Sequence, residues 1–453
     1  MSVSKQGFAI GGVIEGFYGR PWSHDQRLDM VRFLSDVGLN TFVYSPKDDP
    51  FTRRFWRELY PERQRDALAE IAAEAHARGI RLQYALSPGL SMRYADPGDV
   101  DAILAKFTQV AALGITSFAL FLDDIPGVLQ HEPDRAVFDS LVDAQVAVVN
   151  HVVSRLSAAV EVTDFAVCAT LYCGRGDEPY MRDLGRGLAD GVRLYWTGRQ
   201  ICSPELEVHD AEVFARTTGR PPLYWDNFPV NDVAMTGELH IGPYVGRDAG
   251  LASVAEGIVA NAMPLPEASK IALSSIADYV RDPQAFDPEA SWESAISRAA
   301  GPRDAEALRE FADACRGSAL CTDDAPRLAA VLAQFVFDYE FGDRLDAVRA
   351  VDTHLSDVLR TTAVLSAPQN AALGREIAPW LAQFRRSIAA VRLTIALLPT
   401  QGTGTPPSLA AAADRAVVMD ALEELRSTRL RVFGDLVDMF LSDTAGEFTS
   451  PPA

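Results

Sequence analysis

Eight times between Phe8 and about Asp282, a short apolar run is followed by a longer segment before the next run begins. The short runs are Phe8–Ile14, Thr41–Tyr44, Ile80–Leu86, Thr116–Leu122, Asp164–Thr170, Val192–Trp196, Leu223–Asp226 and Ala255–Ala260, each of a length suited to one buried strand. Amphipathic segments separate them: His24–Asp36, Glu62–Arg78, Val100–Ala112, Arg135–Ala158, a piece near Tyr180–Leu188, a helix within Ser203–Thr217, and a closing helix over Glu267–Tyr279. A longer irregular passage leads to the eighth run. This alternation predicts an α/β chain folded as a (β/α)8 TIM barrel. An open doubly wound sheet is the alternative, but the turn after the first run, Ile14-Glu15-Gly16-Phe17-Tyr18-Gly19-Arg20-Pro21-Trp22, lacks dinucleotide glycine spacing and carries bulky aromatics.

Beyond Asp282 the pattern changes to Ala-, Leu-, Arg- and Glu-rich stretches with apolar residues at helical spacing, interrupted at Gln401–Ser408 by Gly, Thr and two prolines. Three regions are expected: a catalytic barrel over 1–288, an all-helical bundle over 289–445, and a flexible tail over 446–453. The chain of 453 residues is long enough for two cores. With 42 Lys plus Arg against 62 Asp plus Glu, its formal charge is −20, which disfavours nucleic acid and anionic membrane surfaces as partners. Five cysteines, Cys168, Cys173, Cys202, Cys315 and Cys321, form neither a disulfide framework nor a zinc-knuckle spacing. No stretch reads as a transmembrane helix, and the N-terminus reaches the first run without room for a signal peptide. The expectation is a cytoplasmic protein.

Sites on barrels of this kind lie beyond the C-terminal ends of the strands. The sharpest feature there is Asp123-Asp124, which ends the apolar run Ser117–Leu122 and is followed by Pro126. Neighbouring side chains of a regular strand point to opposite faces, so both acids can serve one site only if the strand has ended by Asp123. Two carboxylates this close should repel, raising at least one pKa and keeping a proton available for acid/base chemistry. Metal binding is the rival use, but the chain has only 7 His and none stands near a strand end in ligand spacing, so no metal is expected. Tyr18, Trp22, Tyr172, Trp196, Tyr224, Trp225 and Phe228 could stack on a sugar face, while Lys47, Asn227, Asp232 and Asn261 suit its hydroxyls. Each of these could instead pack or tie a loop.

Several of these segments together resemble the family 84 glycoside hydrolases. They are Gly12-Val13-Ile14-Glu15-Gly16-Phe17-Tyr18-Gly19-Arg20-Pro21-Trp22-Ser23, Tyr44-Ser45-Pro46-Lys47-Asp48-Asp49-Pro50, Phe121-Leu122-Asp123-Asp124-Ile125, Tyr195-Trp196-Thr197-Gly198 and Trp225-Asp226-Asn227-Phe228-Pro229-Val230-Asn231-Asp232. The resemblance covers about residues 8 to 285. It implies a retaining β-N-acetylglucosaminidase, using substrate-assisted catalysis through an oxazoline and acting on terminal β-linked GlcNAc of proteins, without a cofactor. Under it Asp123 would orient the 2-acetamido group and Asp124 would be general acid and then base. Tyr172 would hold the acetamido oxygen, and Trp196 and Thr197 would shape its pocket. The Gly16 carbonyl, Lys47, Asn227, Asp232 and Asn261 would bind sugar hydroxyls. Two alternatives stay open: a β-N-acetylhexosaminidase of free oligosaccharides or glycans, and a non-catalytic carbohydrate-binding protein.

Overall fold

A computed structural model describes residues 7–402 and 404–446 of the chain. Eight parallel strands, β1 Ile10–Glu15, β2 Thr41–Tyr44, β3 Arg81–Leu86, β4 Ser117–Phe121, β5 Asp164–Cys168, β6 Val192–Trp196, β7 Pro222–Asp226 and β8 Gly257–Asn261, form a closed barrel in chain order. Eight helices run between and after them: α1 His24–Val37, α2 Glu62–Ala77, α3 Pro97–Ala111, α4 Glu132–Val137, α5 Leu141–Ala159, α6 Pro179–Gly187, α7 Val208–Thr218 and α8 Pro266–Arg281. The strands are buried on both faces, which is why they read as continuous apolar runs rather than alternating ones. Register sorts their side chains: Ile14, Val43, Ala85, Ala119, Phe121, Ala166, Cys168, Tyr195, Trp225 and Val259 meet in one cluster inside the barrel.

The single long helix expected over Arg135–Ala158 is two helices. Phe138 is extended and Ser140 caps α5, accepting from the Asp143 N–H at 3.2 Å. Apolar spacing runs through this break, whereas a serine cap acts on individual N–H groups that periodicity does not register.

The described residues divide into two compact units: 7–232 with Tyr244–Pro266 and Leu273–Pro288, and Val233–Pro243 with Glu267–Ala272, 289–402 and 404–446. The second contains α9 Pro288–Ala300 apart from its first residue, α10 Ala305–Asp313, α11 Pro326–Phe341, α12 Arg344–Thr362, α13 Ala371–Ala396, α14 Ala412–Ser427 and α15 Leu436–Ala445. Along α13, Ile377, Trp380, Leu381, Phe384, Ile388, Val391 and Ile395 form the buried stripe, and Phe384 meets Phe311 and Phe433 at ring separations of 5.7 and 5.1 Å. The tail expected from Gly446 lies, after that residue, outside the described residues.

Two strand-end acids brace the first unit. Glu15 is fully buried and accepts from Arg27 Nε at 2.7 Å, Arg27 Nη2 at 2.9 Å and the Trp22 N–H at 3.0 Å. Asp226 accepts from Arg247 Nη2 at 2.6 Å, Arg247 Nε at 3.0 Å and the Tyr244 hydroxyl at 2.6 Å. Burial opposes the Arg247 charge, but Asp226 outweighs it and holds the guanidinium pKa above its ordinary value. Arg247→Met, which strands the Asp226 carboxylate, is expected to destabilise the fold by about 3–5 kcal/mol, read from the urea midpoint. Adding Asp226→Leu should recover part of that loss.

Candidate active site

The inward register of β4 runs through Ala119 and Phe121, so Asp123 follows it toward the barrel mouth. The strand has ended by then. Leu122 donates its N–H to the Cys168 carbonyl at 2.9 Å, but its own carbonyl accepts from the Thr170 hydroxyl at 2.7 Å instead of a ladder partner. Asp124 then takes a left-handed conformation with φ 54°. Asp tolerates that region better than most residues, and the turn prevents the outward placement a continuing strand would impose. Both carboxylates therefore approach one ammonium: Lys47 Nζ lies 2.5 Å from Asp123 Oδ2 and 3.7 Å from Asp124 Oδ2.

That ammonium reverses the expected electrostatics of the pair. Burial raises the Asp124 pKa, but Lys47, the hydroxyls of Tyr18 and Tyr172, and Arg53 together hold it below the ordinary 3.8. Tyr18 donates to Asp124 Oδ2 at 2.6 Å and Tyr172 to Oδ1 at 3.0 Å. The sequence supplied a like charge at Asp123 as the dominant neighbour; the fold places a cation between the two acids. Burial also disfavours the Lys47 charge, yet the attraction of Asp123 prevails and raises its pKa above 10.5. Asp123 itself is 7% exposed, and its Oδ1 is buried without a hydrogen-bond partner.

The other candidate residues fall into distinct groups. Gly16 is a close-approach position: a Cβ there would stand 2.7 Å from Trp225 Cζ2 and 3.2 Å from Asn261 Oδ1. Asp232 Oδ2 accepts from the Tyr18 N–H at 2.6 Å, and burial raises its pKa. Asn227 Oδ1 accepts from Trp225 Nε1 and from Asn261 Nδ2, both at 2.9 Å, while its Nδ2 donates to the Ile201 carbonyl at 2.7 Å. Asn261 Oδ1 is buried and unpartnered. Thr197 ties its loop to Tyr172, its N–H donating to the Tyr172 carbonyl at 2.9 Å. Trp196 stands apart from these: Tyr195 takes the inward position, and the Trp196 ring stacks on Phe214 of α7 at 4.8 Å in the helix layer.

Two participants were not singled out as site residues. Tyr18 figured only as a stacking candidate, yet its hydroxyl holds Asp124. Arg53, in an Arg-Arg pair without helical periodicity, donates from Nη1 to the Tyr18 hydroxyl at 2.8 Å and lies 5.3 Å from its ring centroid. Among the described residues no group of three or more His, Cys, Asp or Glu side chains could hold a metal ion.

The closed parallel barrel, with a carboxylate pair and convergent polar groups beyond its strand ends, is of the class that places its chemistry at that face. A family model described as beta-N-acetylglucosaminidase matches residues 11–313, and the chain belongs to that family. It is 36% identical over 276 residues to the protein O-GlcNAcases of Rattus norvegicus and Mus musculus, an overlap of 60% of this chain and 30% of each relative. The chain thus spans less than a third of the length of those relatives. A solved O-GlcNAc hydrolase mutant from Thermobaculum terrenum superposes with a TM-score of 0.89 at 31% identity, covering 97% of this chain and 94% of that one.

The loop carrying Lys47 rests on Lys106 of α3, whose Nζ donates to the Phe51 carbonyl at 2.9 Å and lies 4.4 Å from the Tyr60 ring centroid. Burial, only partly opposed by Asp49 and Glu58, pushes the Lys106 pKa down to about 8. Between that value and the ordinary 10.5, the unfolded chain binds a proton that the folded one has lost. The stability of the wild type relative to Lys106→Met should therefore rise as pH increases through this window. Urea titrations of both proteins at several pH values check the sign.

Proposed function

We propose that the protein is a retaining β-N-acetylglucosaminidase that removes O-linked GlcNAc from serine and threonine of proteins, with the substrate's own acetamido oxygen as nucleophile. The observation that carries this reading is the unpartnered, buried Oδ1 of Asp123 beside Asp124. An acceptor with no hydrogen bond is costly to bury, and the acetamido N–H of a bound sugar is the donor that would satisfy it. Names of the rat, mouse and Thermobaculum relatives support the same substrate.

In the reaction, Asp123 accepts from the acetamido N–H and turns the carbonyl oxygen toward C1. That oxygen attacks C1 as the bond to the leaving oxygen breaks, and protonated Asp124 gives its proton to the departing serine or threonine. The Asp124 carboxylate then takes a proton from the water that attacks C1, reopening the oxazoline with retention. Holding the nucleophile within the substrate avoids ordering a second reactant, a benefit that can reach several kcal/mol. The Gly16 carbonyl, Lys47, Asn227, Asp232 and Asn261 bind the hydroxyls. Thr197 borders the acetamido group. Cys168, Cys173, Cys315 and Cys321 are free thiols, which supports a reducing compartment such as the cytoplasm. No helix among the described residues is long and apolar enough to cross a membrane.

The free site favours the ionised form of Asp124, whereas the first step needs the acid. Tyr172 offers a way to reconcile the two, because its one hydroxyl hydrogen can go to Asp124 or to the acetamido oxygen, but not to both. Seating the acetamido group diverts that hydrogen and weakens the hold on the Asp124 charge. Binding of an oxazoline-mimicking inhibitor near neutral pH should therefore take up protons, seen by calorimetry in buffers of different ionisation enthalpy. Buffer-independent heats would contradict this. Asp124→Asn should lose about 10²–10⁴-fold in kcat for poor leaving groups and far less for activated aryl ones. Asp123→Asn should slow both classes, since it acts on attack at C1; full activity in that variant would remove the role assigned.

A further inference from the structure

A groove of about 620 Å³ opens beside Lys47 and is lined by Arg53, Arg54, Phe55, Leu90 and Asp48 among others. Its two walls each connect to the general acid. On one side Asp124 holds Tyr18, and Tyr18 holds Arg53, the neighbour of Arg54 and Phe55. On the other, Ile125 follows Asp124 and packs against Gly89, the neighbour of Leu90, where a Cβ would meet its Cδ1 at 3.0 Å. The leaving oxygen must lie next to Asp124, so the chain that carries it departs over this ground.

The walls are rigid. Arg57 makes a bidentate pair with Asp99 at 2.6 and 2.7 Å and donates to the Ser91 carbonyl at 2.7 Å, while Trp56 Nε1 donates to Ser91 Oγ at 3.1 Å. On these pinned loops Phe55 and Leu90 remain 41% and 55% exposed. Arg54 has no carboxylate within ion-pairing distance among the described residues; its guanidinium lies 5.1 Å from the Phe55 ring centroid. That leaves one cation of the groove lining without a carboxylate partner. Asp49 does not neutralise it, being engaged by the hydroxyls of Tyr44 and Tyr60 and the Phe51 N–H. Asp48 is the one exposed acid on this lining.

We infer that this groove receives the polypeptide flanking the glycosylated serine or threonine, with Arg54 pairing a carboxylate of that peptide and Phe55 and Leu90 covering its apolar side chains. The inference rests on the reaction proposed above and assigns its leaving-group specificity. Rigid walls lower the ordering cost of binding an extended segment. Exposed guanidinium–carboxylate pairs contribute modestly, so discrimination is set by charge and is sensitive to salt.

The test uses two β-GlcNAc peptides that differ only by Glu or Gln at the positions flanking the sugar, with an aryl β-N-acetylglucosaminide as a leaving group too small to fill the groove. Wild type should prefer the Glu peptide in kcat/KM by up to about fivefold, with the preference fading as salt rises. Arg54→Glu should invert that preference and leave the aryl substrate unchanged. Leu90→Ser should raise KM for both peptides without touching the aryl rate. Peptide rates that ignore both variants would overturn the groove while leaving the reaction standing. An aryl substrate untouched by wild type would instead overturn the reaction.

Discussion

Everything at the mouth of the barrel depends on one buried ammonium. Lys47 is almost wholly removed from water, and a lone cation there would lose its proton or disrupt the fold. Asp123 at 2.5 Å and Asp124 at 3.7 Å make its burial tolerable, and Lys47 in turn lets two adjacent acids share one small volume. The rings of Tyr18 and Trp225 add their faces at 5.6 and 5.5 Å. Residues from the ends of β1, β2, β4 and β7 thus meet at one charge, which fixes the carboxylates before any ligand arrives.

The same face separates acids that hold the frame from acids that remain open to a ligand. Glu15 and Asp226 are strand-end carboxylates with bidentate arginines and further donors, and their capacity is spent on bracing the turns around them. Asp123 keeps one oxygen without a partner, and Asp124 accepts only from tyrosine hydroxyls that could be diverted. Saturation, more than burial, distinguishes the two kinds. A carboxylate already satisfied by a guanidinium has little to offer an amide or a leaving oxygen.

Much of the architecture was legible in linear order, because a barrel built from consecutive β-then-α units writes its topology directly into the apolar pattern. The closed order of β1 to β8 follows from that alternation, and the segments carrying the paired acids, Lys47, Tyr172, Asn227, Asp232 and Asn261 all fall at strand ends. Less legible were features set by single hydrogen bonds or by contacts across the chain. The Ser140 cap splits a continuous amphipathic run, and the adjacency of Asp123 concealed the stronger influence of Lys47, which lies 76 positions before Asp123. Arg53 belongs to no period or motif, yet it reaches Tyr18 across 35 positions.

What the chain determined by itself was the set of strands, their consecutive order, and the presence of two neighbouring acids at the close of the fourth, since each is a property of local composition and spacing. Tertiary structure decided what those acids experience: the left-handed turn at Asp124, the cation set between the pair, and the hydroxyls that keep one of them charged. It also decided that Trp196 faces the helices while Tyr195 faces inward. The reason is physical. Electrostatic and hydrogen-bond energies depend on distances of a few ångströms between groups remote in sequence, and only closure of the barrel sets those distances.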